Sequence, residues 1–261
     1  MRIVHINVMA TLSTGRVATE ICETAQEMGH RTLVAFSRGY PPRSVPYLRI
    51  GNGLDLRLHG VLARLTDRSG FFSRYATRKL VRQLKSYKPD LIHLHNLHGY
   101  YLHLPTLFGY LKECGVPVVW TLHDCWAFTG HCAYFSMARC DRWLSGCGHC
   151  PCQHLYPNSL FWDRSSKNWA GKRALFTAVP GLALVTPSEW LASEVSRSYL
   201  KKYPLYVIPN GIDLQTFRPC DDPALLADTV HRYHLERLNG RRMLLSVAST
   251  WEPRKGLEDL A

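Results

Sequence analysis

The sequence predicts an α/β fold built on a parallel sheet, and three observations carry that expectation. Short apolar runs ending in polar residues recur along the chain, helical patterns separate them, and no run reaches the roughly 18 to 20 apolar residues of a membrane-spanning helix. Of the 261 residues, 46% are hydrophobic and 20% charged, which suits a globular chain with a sizeable core and excludes disordered and fibrous classes.

Arg2 to Val8 alternates toward a buried strand. Ser13-Thr14-Gly15 then leads into a helical stretch from Val17 to Met28, with apolar positions at Val17, Ile21, Ala25 and Met28, closed by Gly29. Arg31 to Phe36 reads as a second strand, so the chain opens as a β-loop-α-β unit of the doubly wound kind. Asp90 to His95 and Val116 to His123 predict two further strands around a helix over Leu104 to Cys114. Leu182 to Thr186 is another strand, Pro187-Ser188-Glu189 caps a helix running to Leu200, and Leu205 to Ile208 follows as a strand. Helices then cover both faces of the sheet.

Pro209-Asn210-Gly211 signals a turn and opens a stretch rich in breakers, which places a domain boundary there: 1–208 as a first domain, 209–261 as a linker and the start of a second. Met243 to Val247 predicts one strand of that second domain and Gly256 the start of a helix. About 50 residues cannot bury a complete core, so the second domain is expected to be incomplete in this chain. The amino terminus lacks a small-residue cleavage site after its apolar stretch, and a cytoplasmic protein is expected.

The net charge of +12 asks for an anionic partner: nucleic acid, an acidic membrane surface or a phosphate-bearing substrate. Phe71 to Lys88 holds Arg74, Arg78, Lys79, Arg82, Lys85 and Lys88 with no acid, interleaved with apolar positions, and predicts a basic amphipathic helix suited to anionic lipid or, equally, a solvated scaffold face. Six of nine cysteines crowd between Cys125 and Cys152. Such crowding in a cytosolic chain favours metal over disulfides, and four thiolates can close a tetrahedral zinc site, with reduced structural thiols as the alternative. A zinc-stabilised basic binding module remains open on these grounds. Against a nucleic-acid role, the spacings fit no common DNA-binding finger and the basic residues are spread over several elements.

Several segments together resemble the retaining glycosyltransferases of family 4, of GT-B architecture, and particularly their bacterial exopolysaccharide (colanic-acid-type) branch. They are His93-Leu-His95-Asn96-Leu-His98-Gly99-Tyr100-Tyr101, Thr121-Leu-His123-Asp124-Cys125-Trp126, Pro187-Ser188-Glu189-Trp190, Ile208-Pro209-Asn210-Gly211-Ile212-Asp213 and Glu252-Pro253-Arg254-Lys255-Gly256. The resemblance implies two Rossmann-like domains, the first complete here and the second only begun, with acceptor bound mainly by the first and nucleotide sugar by the second. It implies transfer of a hexose from a nucleotide-diphosphate sugar to a polysaccharide or lipid-linked glycan, with retention and no catalytic cofactor, at the inner face of the cytoplasmic membrane. A chain that ends at Ala261 lacks the family's paired glutamates, so an inactive fragment is the other expectation.

Residue by residue, His123 resembles the pocket histidine beside the transferred sugar, where a neutral imidazole can hydrogen-bond a hydroxyl. Ser13, Thr14 and Gly15 match the loop set against the donor phosphates, where a helix start offers unsatisfied N–H groups. Lys255, beside Arg254, matches the lysine that neutralises the departing diphosphate. The family's partner arginine aligns with Ser249, a departure from the pattern. His95, Asn96, His98 and Asp124 form a polar cluster expected to face the acceptor. Cys132, Cys140, Cys147 and Cys150, in an insertion over about 125–165, resemble the branch's four-cysteine insertion, with His131 and His149 as alternative ligands; a structural zinc there would fold a long loop lacking its own core.

Overall fold

The structure, a computed structural model, describes residues 1–248, 251 and 255–258. The chain divides into two units, Met1–Asn210 and Gly211–Ala261.

The first unit is a seven-stranded, wholly parallel sheet in the order β3-β2-β1-β4-β5-β6-β7. Its strands are β1 (Arg2–Ile6), β2 (Arg31–Phe36), β3 (Tyr47–Arg49), β4 (Leu91–Leu94), β5 (Val118–Thr121), β6 (Leu182–Thr186) and β7 (Leu205–Val207). Helices α1 (Ser13–Glu27), α2 (Gly53–Thr66), α3 (Arg74–Tyr87), α4 (Leu104–Glu113), α5 (Ser165–Phe176) and α6 (Glu189–Arg197) pack around it. The strand order reverses between β1 and β4, which opens the crevice where open α/β sheets bind their ligands.

The two faces of the central strands differ. Val4, Ile6, Ile92, Leu94, Val118 and Trp120 supply the main core on one face. On the other face β1 and β4 present His5 and His93 in register, while Val34 and Phe36 form a second apolar cluster with Cys22 of α1. Sequence signals set several helix starts. Asn52 and Asp55 make a reciprocal capping box for α2, and the Ser188 hydroxyl accepts the Leu191 N–H at 3.3 Å to begin α6.

Three expectations change. Helix α1 begins at Ser13, so Ser13, Thr14 and Gly15 form its first turn rather than a loop before it. Residues 243–247 form no strand; among the described residues of Gly211–Ala261 there is no strand to take up the N–H and C=O groups of a lone extended segment. That unit does contain α7 (Pro223–Arg232), capped by the Asp222 carboxylate. The cysteine-rich insertion does not lack a core. Phe128, Phe135, Trp143 and Cys152 join the main cluster, with Trp143 5.0 Å from both Phe128 and Phe135 between ring centroids, so apolar burial already folds it.

Candidate functional site

The crevice at the carboxyl ends of β1, β4 and β5 gathers much of what the sequence singled out. Asn7, just after β1, accepts the Asn96 N–H on its Oδ1 at 3.1 Å and donates from Nδ2 to Thr14 Oγ1 at 3.3 Å. One side chain thus ties the α1 start to the loop after β4. Asn96, His98, His123 and Asp124 line one hollow with Trp126. In the α1 start, Gly15 packs so tightly that a Cβ would lie 2.9 Å from the Met9 and Ala10 backbone, and its own N–H is donated to the Leu12 carbonyl at 2.8 Å. Leu12 and Ser13 both hold positive φ there, a strained turn of the kind found at ligand clamps.

Beneath the hollow runs a chain of imidazoles. His5 Nδ1 lies 3.2 Å from His95 Nε2, and His95 Nδ1 lies 3.2 Å from His123 Nε2. His93 stacks on His95 with centroids 4.3 Å apart, and its Nε2 pairs with Thr121 Oγ1 at 2.8 Å. Burial depresses all four: His93 and His123 to about 4, His5 and His95 well below the ordinary 6.5, with neighbouring imidazoles adding to the effect at His5, His93 and His95. Asp124 partly opposes the depression at His123.

Neutral imidazoles carry one proton each, so the chain has two directions. His5 Nε2 is buried without a partner. If His123 donated downward, that orphan atom would be an N–H, which is costlier to bury unpaired than a bare lone pair. The network therefore assigns His5 Nδ1–H to His95 and His95 Nδ1–H to His123 Nε2. His123 keeps its proton on Nδ1, a hydrogen-bond donor rather than a base at Nε2.

Not every expected contact residue is free to bind an acceptor, although His95 too lines the hollow. His95 is 1% exposed with both nitrogens engaged, so it supports His123 from below instead of touching an acceptor. His98 and Asp124 are likewise spent on one another. His98 Nε2 meets Asp124 Oδ2 at 2.7 Å, Asp124 Oδ1 accepts the Trp126 N–H at 2.9 Å, and His98 Nδ1 accepts from the Tyr156 hydroxyl at 2.8 Å. Attraction to His98, with the hydrogen bonds from His98 and the Trp126 N–H, holds the Asp124 carboxyl low despite its burial. Tyr156, from the insertion, was not foreseen, and neither were Asn7 or His5. A histidine inside an apolar strand was the available signal for His5.

Lys255 is exposed in Gly211–Ala261, and Arg254 lies outside the described residues. Cys132, Cys140, Cys147 and Cys150 line one hollow with His131. His131 Nδ1 pairs with Asp67 Oδ1 at 2.5 Å while its Nε2 is buried without a partner. This suits a metal ligand, whose second nitrogen a carboxylate commonly holds. The insertion's His149 lines a neighbouring hollow, together with Cys147 and Gly148. Among the described residues, the three ligating atoms that lie within 4.8 Å of one another belong to His5, His93 and His95, so the cysteine hollow would have to contract around an ion.

The family model described as Glycosyltransferase Family 4 matches residues 14–216. A protein of Escherichia coli described as a colanic acid biosynthesis glycosyl transferase, WcaC, is 35% identical over 147 residues, which cover 54% of this chain and 34% of that protein. The chain thus spans about a third of that relative's length. Sucrose-phosphate synthase from Thermosynechococcus elongatus superposes with a TM-score of 0.54 over 89% of this chain and 52% of the other, at 12% identity, a likeness of fold. No helix among the described residues is long and apolar enough to cross a membrane.

Proposed function

The chain belongs to glycosyltransferase family 4, and we propose on that premise that residues 1–208 form the acceptor-side lobe of an enzyme that moves a hexose from a nucleotide-diphosphate sugar to a polysaccharide or lipid-linked glycan, with retention. The observation that carries the reading is the crevice between β1 and β4, where Asn7 joins the α1 start to Asn96 and His123 stands beside them on a neutral imidazole chain. The His123 Nδ1–H is suited to a hydroxyl of the transferred sugar. The positive end of α1, at Ser13 and Thr14, favours the donor diphosphate, with Gly15 letting that turn pack against the Met9 and Ala10 backbone. In the second unit, Lys255 and Arg254 would offset charge on the leaving diphosphate.

In the full-length enzyme, nuclear magnetic resonance of the product anomer formed from α-linked UDP- and GDP-hexoses is expected to show an α linkage. His123→Ala should lower kcat/KM by about tenfold, the scale of losing one hydrogen bond to the sugar. An inverted product, or an unchanged rate in that variant, would remove the reading.

For the cysteine hollow we propose a structural zinc. Four donors drawn from the sulfurs of Cys132, Cys140, Cys147 and Cys150 and the orphan nitrogen of His131, which Asp67 orients, would hold it. When bound it supplies cross-linking of the insertion, which carries Tyr156 to the crevice, and takes no part in transfer.

A peripheral contact with anionic membrane is supported by one surface. Along α2, Leu54, Leu58, Val61 and Leu65 form an exposed stripe, and Leu160, Phe161 and Trp162 continue the exposed apolar surface, joined to α2 by the Leu160 N–H on the Arg64 carbonyl at 2.8 Å. Helix α3 adds exposed Arg74, Arg78, Lys79, Arg82 and Lys85, and packs by Ser73 against His59 of α2. Each such cation is worth about 1 kcal/mol at an anionic surface. The chain should sediment with phosphatidylglycerol vesicles at low salt but not with phosphatidylcholine. A Phe161→Ser/Trp162→Ser pair should weaken that binding about tenfold, the scale of withdrawing two partly inserted rings. Equal sedimentation with both lipids would end this proposal.

A further inference from the structure

Arg38 leaves the sheet at its carboxyl edge, where its N–H donates to the Val8 carbonyl at 2.8 Å beside the β1–α1 turn. Its guanidinium carbon lies 5.6 Å from the centre of the Tyr100 ring. Tyr100, in the loop after β4, also lies within electrostatic reach of the Arg64 guanidinium of α2. The Tyr100 and Tyr156 rings are 6.4 Å apart, and the Tyr156 hydroxyl is the one bound to His98 in the crevice. Two guanidiniums and two phenols therefore converge on the acceptor side from four separate segments.

This convergence lacks its counter-charge. Among the described residues no carboxylate forms an ion pair with Arg38 or Arg64. Asp124, across Tyr156, is already spent on His98 and the Trp126 N–H. The Arg38 Nε–H is buried without an acceptor. Leaving a charged donor unpaired out of water is costly, and contact with the Tyr100 ring does not relieve it, because a stacked guanidinium keeps its N–H groups in its own plane. What fits such a fork is a planar or tetrahedral oxyanion, bound through two parallel hydrogen bonds.

We infer that Arg38 and Arg64, with Tyr100 and Tyr156, form an oxyanion subsite that reads a carboxylate or phosphate carried by the acceptor glycan. The inference deepens the acceptor-side reading and rests on it. The tyrosines flank the sugar that bears the charge, and the fork sets which acceptors are held against the crevice.

Three methyl glycosides sharing one ring test it by calorimetry on the whole chain: methyl glucoside, its 6-phosphate, and methyl glucuronide. At least one anionic probe should bind about tenfold more tightly than the neutral one, as a charge-assisted pair warrants. Preference for the phosphate identifies a phosphorylated acceptor, and preference for the glucuronide an acidic sugar. Arg38→Gln should erase the preference and Arg64→Gln, at an exposed position that does not endanger folding, should reduce it. Arg31→Gln, which removes the same charge at the amino edge of the sheet, should leave it intact. Absent or equal binding of the three probes, or a preference that survives both variants, or one lost equally in Arg31→Gln, overturns the subsite. Sugar transfer by the full-length enzyme without anion preference would remove this inference alone; anion preference without transfer would remove the transferase reading and leave the fork standing.

Discussion

Acidification from pH 7 to pH 5 is expected to strip several kcal/mol of stability from the Met1–Asn210 unit. His5, His93, His95 and His123 are all held neutral by burial, with folded values below the ordinary 6.5. For such a group the unfolded chain takes up its proton first. Stability is therefore complete above about 6.5 and is lost as pH falls toward the folded value, near 4 for His93 and His123. At pH 5 each contributes a loss of roughly 2 kcal/mol, discounted because neighbouring imidazoles relax once one of them charges. Against a total of about 5 to 15 kcal/mol, the summed effect is large.

His131 works in the opposite sense. Its hydrogen bond and attraction to Asp67 raise its value against the pull of burial, so that pair strengthens folding on the acid side and fades as pH rises through the folded value. One such group offsets only part of the loss from four. Urea unfolding at intervals from pH 7.5 to pH 5 reads the outcome. The midpoint should drop steeply below pH 6.5, and His5→Phe, by removing one titrating member, should flatten the fall. A midpoint that stays level over that range would mean the imidazole chain is not buried and neutral.

The second large effect is expected at Asp67, where Asp67→Ala should cost about 3 to 5 kcal/mol, the scale of breaking a buried charged pair. Asp67 ends α2 in a left-handed conformation, φ 51°, and its atoms serve three partners at once. Its Oδ1 meets His131 at 2.5 Å, its Oδ2 accepts the Arg164 N–H at 2.7 Å, and its carbonyl accepts from Asn168 Nδ2 at 2.5 Å. Alanine would orphan both His131 nitrogens and strain the left-handed turn. Asn tolerates that conformation and keeps one acceptor, so Asp67→Asn should cost less than half as much. Because the insertion carries Tyr156, and His131 is among the zinc candidates, zinc retained by the purified chain should fall in Asp67→Ala together with the thermal midpoint. An alanine variant as stable as the parent would show that apolar packing alone anchors the insertion.

Much of the sheet was legible because parallel strands buried on both faces read as short apolar runs. Leu182–Thr186 and Arg31–Phe36 form strands at the residues the pattern predicts. Helix α5 was not legible, and its buried positions explain why: Ser165, Asn168 and Lys172 are polar, so its inward face carries little hydrophobic period. The Asn52 and Asp55 capping box is the readable signal for α2. Residues 243–247 show the converse, since an apolar run predicts a strand only where a neighbour exists to pair with it.

The sequence by itself determined the alternation of strands and helices, the residues at the strand ends and the family, because local periodicity and ordered motifs survive without coordinates. Period two also puts His93, in β4, and His95, just beyond its end, on one side of the sheet. Only the tertiary structure decided that His5 lies in register with His93, that His95 holds His123 from below, and that Arg38, Tyr100 and Tyr156 meet. Such pairings depend on strand register and on how distant loops fold over the sheet edge, and a burial that turns a histidine neutral exists only once those segments exclude water together.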